Sequence, residues 1–524
     1  MRQAILPAAC FLIVSSTSAP PVSSDAPAPD ANRMTGEERR ASGALALVFA
    51  LRMLGLFIVL PVFALEAARL PGGDDPARVG FAMGLYGLTQ AFLQIPFGIA
   101  SDRFGRKPTI VAGLLVFAAG SAIAAWAPDL TWLSIGRAVQ GAGAISAAVT
   151  AFLADVTRDS VRTKAMAMVG ASIALMFALS LVIAPLLAGW VGLPGIFGMT
   201  CTLALLGIAV VLWVAPPEPR VHRPSDMQQV RGGLGEVLRH AGLLRLNLGV
   251  FVLHAVQLAM WMAVPAMLVQ AGLAKADHWQ VYLPAVAASL LVMGGVLFPM
   301  ERKGRLRAAF LIAIALIGVV QIGLWWLARS GAAPGLWALG GLMCVYFIGF
   351  NTLEASQPSL VSKLAPAHAR GAALGVYNTL QSVGFFVGGA VGGWLARAHG
   401  PQGLFAACAV ATLVWLVVAW GMERRTARGR AERSLAPEPS NRGAKAWRGW
   451  LRALLAGPIG MIAAMGTAIA FVAFCPGAAE TRLVLGGLLA AYFVLMFEGL
   501  KTAPPVSAAA VFTLTPLMAA GFGW

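Results

Sequence analysis

Long apolar runs recur along the chain, and they restrict its fold more than any other feature of the sequence. Each run is about 20 residues long and carries few charges. A helix of that length crosses the roughly 30 Å hydrocarbon core of a bilayer, and it satisfies its own backbone polar groups there. We therefore predict an all-α integral membrane protein. The predicted spans are residues 43–65, 79–101, 108–126, 131–154, 165–188, 193–215, 246–270, 280–300, 308–328, 335–361, 371–396 and 401–422.

The basic residues are distributed unevenly between the two sides of the predicted membrane. A net charge of +17 would suit a nucleic-acid partner if the charge formed one patch. With the N-terminus inside, 31 of the 39 Lys and Arg residues fall on the inner side, 6 on the outer side and 2 within spans. That asymmetry follows the positive-inside rule. The charge therefore indicates a cytoplasmic N-terminus and a lipid bilayer as the partner, and it argues against nucleic acid.

The residue types that usually build metal or enzyme sites are dispersed. The five cysteines lie mostly inside apolar runs without a Cys-x-x-Cys spacing, and the six histidines form no ligand cluster. No nucleophile–base pair or phosphate-binding loop stands out in the sequence. We predict no metal, no cofactor and no enzymatic activity.

A basic segment divides the predicted spans into two sets of six. It is the longest gap between spans in the main body and carries five Arg. We predict a six-helix bundle over 36–215, a cytoplasmic linker over 216–245 and a second bundle over 246–422. "ASDRFGRK" after the second span is echoed by "PMERKGRL" after the eighth, and Arg162 and Arg370 begin the fifth and eleventh spans. Matching echoes of this kind are typical of a transporter built from two parallel repeats.

The two ends of the chain differ in composition from the main body. Residues 1–35 are interpreted as a disordered extension, or as the result of a start assigned upstream of Met34; a short signal peptide is the alternative. Residues 423–452 are strongly basic and predict a solvated linker on the inner face. Residues 453–524 hold about three further hydrophobic segments, which we interpret as a truncated membrane appendage.

The turn after the second span packs charges and glycines between two apolar runs and reads "GIASDRFGRKP" (98–108). Gly98 and Gly105 permit close approach and a tight turn. Asp102 lies at the helix end, where a carboxylate can meet an Arg or a neighbouring helix N-terminus. A merely positive loop would explain the basic residues and leave Asp102 unexplained. The basic residues that anchor this turn at the inner face are Arg103, Arg106 and Lys107.

This turn resembles the signature between helices 2 and 3 of the major facilitator superfamily. "RAVQGAGAISAAVTAFLADVT" (137–157) resembles the fourth-helix motif of that family, with Arg137 and Gln140 in place. "LRMLGLFIVLP" (51–61) is similar to the first helix of one bacterial subgroup. The similarity covers about 36–422 and points to the drug:proton antiporter branch.

The resemblance implies twelve helices in two bundles that alternate access to a central cavity. It also implies the bacterial inner membrane and export of a small, amphipathic compound against proton entry; we expect a monomer. Two alternatives stay open at this point. One is a facilitator or uptake carrier for sugars or metabolites, and the other is a membrane sensor or scaffold that does not transport.

The sequence departs from the family pattern in two places. The antiporter motif of helix 5 keeps Pro185 and Gly189, but Ser and Ala replace three of its glycines in "SLVIAPLLAG", which leaves the direction of transport open. In the second half, Glu301 takes the place of the turn's acid. The segment "FEGLKTAPPVSAAAVFTLTPLMAAGFGW" (497–524) is similar to two helices of the drug/metabolite exporters, and we interpret it as a fusion remnant.

Charges inside membrane spans are costly and usually serve a function. Glu354 is the only acid well inside any of the twelve spans. We expect it to bind the coupling proton, with Arg52 or Arg137 tuning it if the fold brings them close; a structural partnership with a buried Arg is the alternative. Asp102 and Glu301 are further proton-site candidates nearer the inner surface.

Polar residues within the spans are candidates for the substrate cavity. Hydrogen bonding between helices is the alternative for each of them. These residues are Gln90, Gln94, Gln140, His254, Gln257, Asn351, Tyr377, Asn378 and Gln381. For the signature turn, we expect Asp102 and Arg106 to latch the outward-open state, with Asp155 and the start of the eleventh span near Arg370 as partners.

Overall fold

The computed structural model describes residues 34–218, 234–292, 300, 305–331, 333–366 and 369–421. The N-terminal extension before residue 34, most of the predicted linker, Glu301 and everything from 422 onward lie outside the described residues. The predictions for the basic segment 423–452 and the appendage 453–524 therefore have no structural counterpart here.

The described part of the chain is almost entirely helical and contains no β-strand. Eight helical stretches in it are long and apolar enough to cross a membrane. The prediction of an all-α membrane protein is confirmed, whereas the number of twelve crossings stays a prediction. We refer to α1–α7 as the N-terminal half and to α8–α12 as the C-terminal half.

The helices follow the predicted spans closely. In the N-terminal half they are α1 (Gly36–Phe57), α2 (Leu60–Ala67), α3 (Pro76–Phe104), α4 (Arg106–Ala125), α5 (Leu130–Ala142), α6 (Ser146–Asp155) and α7 (Asp159–Ala209). In the C-terminal half they are α8 (Ala241–Gln270), α9 (Trp279–Val292), α10 (Leu306–Arg329), α11 (Leu336–Leu364) and α12 (Arg370–Trp420).

Capping residues set several helix starts. Thr35 and Glu38 form a reciprocal capping box at the start of α1. The side chains of Asp75 and Asp129 accept backbone N–H bonds at the starts of α3 and α5. Polar caps at the ends of apolar runs thus fix the starts of α1, α3 and α5.

Two long helices each contain one sharp break at a glycine. In α7, Gly192 has φ 61° and ψ −167° and is followed by Pro194. In α12, Gly400 has φ 66° and ψ −174° and is followed directly by Pro401. The positive φ favours glycine, and each break falls between two predicted spans. The breaks occupy matching places in the two halves, which supports the proposed internal repeat.

We call the end of the bundle that carries Arg106, Asp155 and the start of α12 the linker end, and the other end the opposite end. Among the described residues, two ion pairs join the halves at the opposite end. Lys275 pairs with Glu66, and Arg397 Nη1 lies 2.8 Å from Asp75 Oδ2. These contacts hold the opposite end of the molecule closed.

Below those pairs, α3 and α12 touch backbone to backbone. A Cβ atom added to Gly80 would lie 2.3 Å from the carbonyl oxygen of Gly389 and 2.7 Å from Cα of Gly393. Only glycines allow two helices to approach this closely. The halves are therefore in direct contact along the opposite-end part of α3 and α12.

Candidate functional site

Glu354 in α11 faces His254 in α8. Glu354 Oε2 lies 3.3 Å from His254 Nε2, and Gln381 Nε2 in α12 lies 2.7 Å from the same ring nitrogen. The other ring nitrogen, Nδ1, is 2.8 Å from the carbonyl oxygen of Val250. A carbonyl only accepts, so Nδ1 carries a hydrogen and Nε2 is left as the atom that can gain or lose one.

Aromatic rings from both halves of the chain pack on the His254 side of the Glu354–His254 pair. The His254 ring makes edge contacts with Phe350 and Phe385 at centroid distances of 6.1 and 4.9 Å. Phe177 of α7 packs on Phe350 at 5.6 Å. The Glu354 side chain is 36% exposed whereas that of His254 is 2% exposed. The pair is thus open on the Glu354 side and enclosed on the imidazole side.

Arg52 of α1 is fully buried in the N-terminal half. Its guanidinium donates to Tyr86 OH at 2.9 Å, to Ser146 Oγ at 3.2 Å and to the Gly143 carbonyl at 3.3 Å. Gly143 lies in the short gap between α5 and α6, where backbone carbonyls lose their helical partners. Arg52 therefore donates a hydrogen bond to a backbone carbonyl at a helix break inside the membrane.

Arg137 of α5 is also buried, and Tyr86 connects it to Arg52. Its guanidinium donates to the Gln140 side chain and, at 3.4 Å, to the Met83 carbonyl. It also lies 4.9 Å above the Tyr86 ring. Within the described part of the chain, neither arginine contacts a carboxylate, and neither reaches Glu354. The structure does not bring the three predicted proton-coupling residues together.

The signature turn forms a compact ion cluster at the linker end. Arg106 Nε donates to Asp155 Oδ2 at 2.9 Å, and both side chains are 9% exposed. Arg106 also pairs with Asp102, whose side chain is 67% exposed. The described contacts do not join Asp102 to Arg370. The structure therefore unites Asp102, Arg106 and Asp155, and leaves the expected bond to the start of α12 unmade.

The other residues of the turn contribute to its shape. Gly105 has φ 101° and ends α3, so it needs the freedom of glycine, whereas a Cβ on Gly98 would make an ordinary contact 3.7 Å from Ala147. Arg103 lies over the Phe104 ring, and Lys107 Nζ donates to the Ala215 carbonyl at 2.9 Å.

The residues of this ion cluster lie within a long part of the chain that matches a known protein family. The profile of the Major Facilitator Superfamily matches residues 45–389. The chain belongs to the major facilitator superfamily. As the sequence predicts, it is a membrane transporter of the secondary type and not an enzyme.

Several transport proteins are similar to this major facilitator over most of their own length. The inner membrane transport protein YajR of Escherichia coli K12 is 44% identical over 397 residues, which cover 75% of this chain and 85% of that protein. The multidrug resistance protein MdtH of Aeromonas salmonicida is 29% identical, over 73% of this chain and 96% of that protein. The structure of a D-xylose-proton symporter has a TM-score of 0.59 at 17% identity and covers 72% of this chain and 97% of the symporter, so it shows the shared fold.

The predicted cavity residues of this major facilitator fall into two groups. Some have direct partners: Asn351 Nδ2 donates to Ser289 Oγ at 2.7 Å, Tyr377 OH donates to Gln357 Oε1 at 3.5 Å, and Gln140 Nε2 donates to Ser121 Oγ at 2.9 Å. Asn378 is half-buried and its carbonyl accepts from Ser382.

The second group keeps buried polar atoms that have no hydrogen-bond partner among the described residues. They are Gln90 Oε1, both amide atoms of Gln94, and Gln257 Oε1. Because an unpaired buried polar atom is costly, these three are stronger candidates for substrate contact than the paired ones.

Pro185 and Gly189 of the helix 5 motif both lie in α7. A Cβ on Gly189 would lie 3.6 Å from Ala276 of the C-terminal half. The motif glycine therefore packs at the boundary between the halves near the opposite end.

Two residues important to these sites were not singled out from the sequence. Tyr86 links both buried arginines, and its signal is its position one helical turn before Gln90 on the same face of the second span. Glu218 accepts from the backbone N–H groups of Arg106 and Lys107 at the start of α4. It lies in the segment predicted to be a plain linker, so nothing in its neighbourhood marked it.

Proposed function

We propose that this major facilitator exports small amphipathic compounds from the bacterial cytoplasm in exchange for protons. The name of MdtH supports efflux, and the name of YajR supports an inner-membrane location. The observation that carries the coupling is the 3.3 Å approach of Glu354 Oε2 to His254 Nε2. The linker end is then cytoplasmic and the opposite end periplasmic.

The Glu354–His254 pair is built to hold one exchangeable proton. With Nδ1 bonded to Val250, a neutral imidazole turns the lone pair of Nε2 toward the Glu354 carboxylate, and the two acceptors repel. One proton between them removes the repulsion, either as a carboxylic acid that donates to Nε2 or as an imidazolium–carboxylate pair. Glu354 Oε2 has no other hydrogen-bond partner, so its only stabilisation within the described part of the chain comes from that proton.

Gln381 can follow the proton. Its amide donates to Nε2 when that nitrogen is bare, and presents its oxygen when the nitrogen carries a hydrogen, because the two ends of an amide have opposite hydrogen-bond roles. Since Gln381 lies in α12 and Glu354 in α11, a change in protonation alters the contact between these helices. That link converts a proton into a preference for one arrangement of the helices.

Alternating access then requires the two ends to open in turn. The periplasmic end is closed in this structure by the Glu66–Lys275 and Asp75–Arg397 pairs. Opening that end breaks both, and we propose that Asp102 then bonds the start of α12 near Arg370 at the cytoplasmic end. Asp102 already pairs with Arg106, but its side chain is 67% exposed and so has room for a second partner.

The test is transport into inverted membrane vesicles that carry an imposed pH gradient. We expect Glu354→Gln to abolish gradient-driven uptake of a panel of amphipathic compounds while leaving their binding intact. Glu37→Gln, the same chemical change at an exposed position, is the matched control and should transport normally. If Glu354→Gln pumps with unchanged pH dependence, the proton is not carried at this pair. If the compounds equilibrate across the vesicle membrane and the pH gradient has no effect on them, the protein is a facilitator.

A further inference from the structure

Glu218 lies where the chain leaves the N-terminal half, and its carboxylate bonds the start of α4 in the signature turn. Glu218 Oε1 accepts from the backbone N–H of Arg106 at 2.5 Å, and Oε2 accepts from the backbone N–H of Lys107 at 3.4 Å. These are the first two residues of α4, and the third, Pro108, has no N–H. The first N–H groups of a helix have no partner within the helix. Glu218 therefore caps both N–H groups of the first three residues of α4.

The turn is shaped to admit this carboxylate. Gly105, the residue before α4, has no side chain that could cap the helix. A Cβ atom added to Gly105 would lie 3.0 Å from Glu218 Oε2 and 3.3 Å from Oε1, which is tighter than ordinary van der Waals contact. A second bond ties the same segment to the turn, because Lys107 Nζ donates to the Ala215 carbonyl at 2.9 Å. The end of the N-terminal half is therefore bound to the turn by two side chains.

Arg106 is held both by its backbone and by its side chain. Its backbone N–H donates to Glu218. Its guanidinium donates to Asp155 Oδ2 and to Ser101 Oγ, each at 2.9 Å, and also to Asp102. The helix dipole favours a carboxylate beside the first N–H groups of a helix, and an ionised acceptor makes these hydrogen bonds stronger than bonds between neutral groups. Glu218 thus fixes the backbone from which the central arginine of the ion cluster extends.

The latch proposed above requires Asp102 in a defined position when the cytoplasmic end closes. In this structure that end is not latched, and Arg106 holds the Asp102 carboxylate. Without Glu218, the start of α4 and the Arg106 backbone would gain conformational freedom in the unlatched state. That freedom would be lost when Asp102 bonds the start of α12, and ordering a backbone segment costs free energy. Loss of Glu218 would therefore disfavour the latched state relative to the unlatched one.

We propose that Glu218 is a positioning residue of the latch: through Arg106 and Asp102 it raises the population of the state in which the cytoplasmic end is closed. This proposal rests on the transport function proposed above, because it concerns the latch step of alternating access. It gives the beginning of the segment that joins the two halves a role in setting the balance between the two states.

The test measures how often the opposite end opens, because the latch forms at the cytoplasmic end only in that state. Ala77 is 2% exposed and lies under α12, where a Cβ atom on Gly393 would be 3.3 Å from the Ala77 Cα. A cysteine is placed at Ala77 in a protein whose five native cysteines are replaced with serine. The full-length protein in nanodiscs is then labelled with a maleimide. The labelling rate is proportional to the population of the latched state.

Glu218→Ala should slow this labelling roughly 3- to 10-fold, as expected for the loss of a helix cap. Glu218→Gln keeps one oxygen that can accept an N–H but loses the charge, so it should slow labelling less; it is the second variant in case Glu218→Ala does not fold. Glu37→Ala, at an exposed position in α1, is the control and should be labelled at the wild-type rate. Wild-type labelling of every folded Glu218 variant would overturn the assignment.

Asp102→Asn distinguishes failure of this proposal from failure of the latch. It should slow labelling by itself, and in that background Glu218→Ala should have no further effect, because Glu218 acts through Asp102. If the two substitutions slow labelling independently, the positioning role is wrong and the latch stands. If Asp102→Asn is labelled like the wild type, the latch step of the proposed function is wrong, and the positioning role is wrong with it. Proton coupling at Glu354 is tested separately, since this labelling uses no pH gradient.

Discussion

Replacing Gly80 with Ala tests whether the opposite end closes through bare helix backbones. The added Cβ would lie 2.3 Å from the Gly389 carbonyl oxygen and 2.7 Å from Gly393 Cα, where ordinary contacts begin at 3.4 Å. Both neighbours are backbone, so no side-chain rotation relieves the overlap. The two helices must separate by roughly 1 Å to admit the methyl group.

The cost applies only to the state in which α3 and α12 touch. Overpacking of this kind costs about 1–3 kcal/mol, and a difference of that size shifts a two-state ratio by about 5- to 150-fold. Gly80→Ala should therefore move the equilibrium toward an open opposite end. The higher helix propensity of Ala stabilises both states alike and does not change the ratio.

The assay is the labelling rate of a cysteine placed at Ala77, which is 2% exposed and one turn from Gly80. The five native cysteines are first replaced with serine, and a membrane-impermeant maleimide reports access. Gly375→Ala is the control, because a Cβ at that position in α12 meets nothing within 4 Å. We expect faster labelling in Gly80→Ala and not in Gly375→Ala. Equal rates in all three proteins would show that the helices do not close by this contact.

Three further predictions concern His278, the ion pair at Asp155 and the hydrogen bonds of Arg52. Desolvation by burial lowers the pKa of His278 to about 4, below its ordinary 6.5, so the unfolded chain takes up the proton at a higher pH than the folded chain. The free energy of unfolding should therefore fall by up to roughly 3 kcal/mol between pH 6.5 and pH 4. In His278→Gln, the melting temperature should decline less over that pH range. Asp155→Asn breaks an ion pair whose side chains are 9% exposed and should lower the free energy of unfolding by about 3–5 kcal/mol. Asp102→Asn removes a carboxylate that is 67% exposed and should lower it by less than about 1 kcal/mol. Similar melting temperatures of the two variants would contradict this contrast. Arg52→Lys keeps the charge, but a lysine cannot bond Tyr86, Ser146 and the Gly143 carbonyl together. Thermal unfolding should show a loss of roughly 1–3 kcal/mol in the free energy of unfolding. The control Arg39→Lys, at an exposed position, should show no measurable loss.

Hydropathy and helix-breaking residues were sufficient to predict most of the fold. Apolar runs have one stable solution in a bilayer, which is the helix, so span positions follow from composition. The breaks at Gly192 and Gly400 were visible as short gaps with a proline close behind. The family motifs then fixed the superfamily, which the match over 45–389 confirms.

The partners of polar residues were far less predictable. Glu354 stood out as a lone acid in a span, but His254 and Gln381 belong to other helices, and helix rotation decides which faces meet. The expected link from Glu354 to Arg52 or Arg137 followed from opposite charge alone. The structure instead satisfies both arginines with hydroxyl groups, carbonyl groups and ring faces in the N-terminal half. Sequence separation contains no information about such pairings.

The two halves therefore stabilise their buried charges by different means. Arg52 and Arg137 contact hydroxyl groups, carbonyl groups and aromatic rings, all of them uncharged. The Glu354 carboxylate lies instead beside the His254 imidazole, so the proton-dependent step that we propose lies in the C-terminal half.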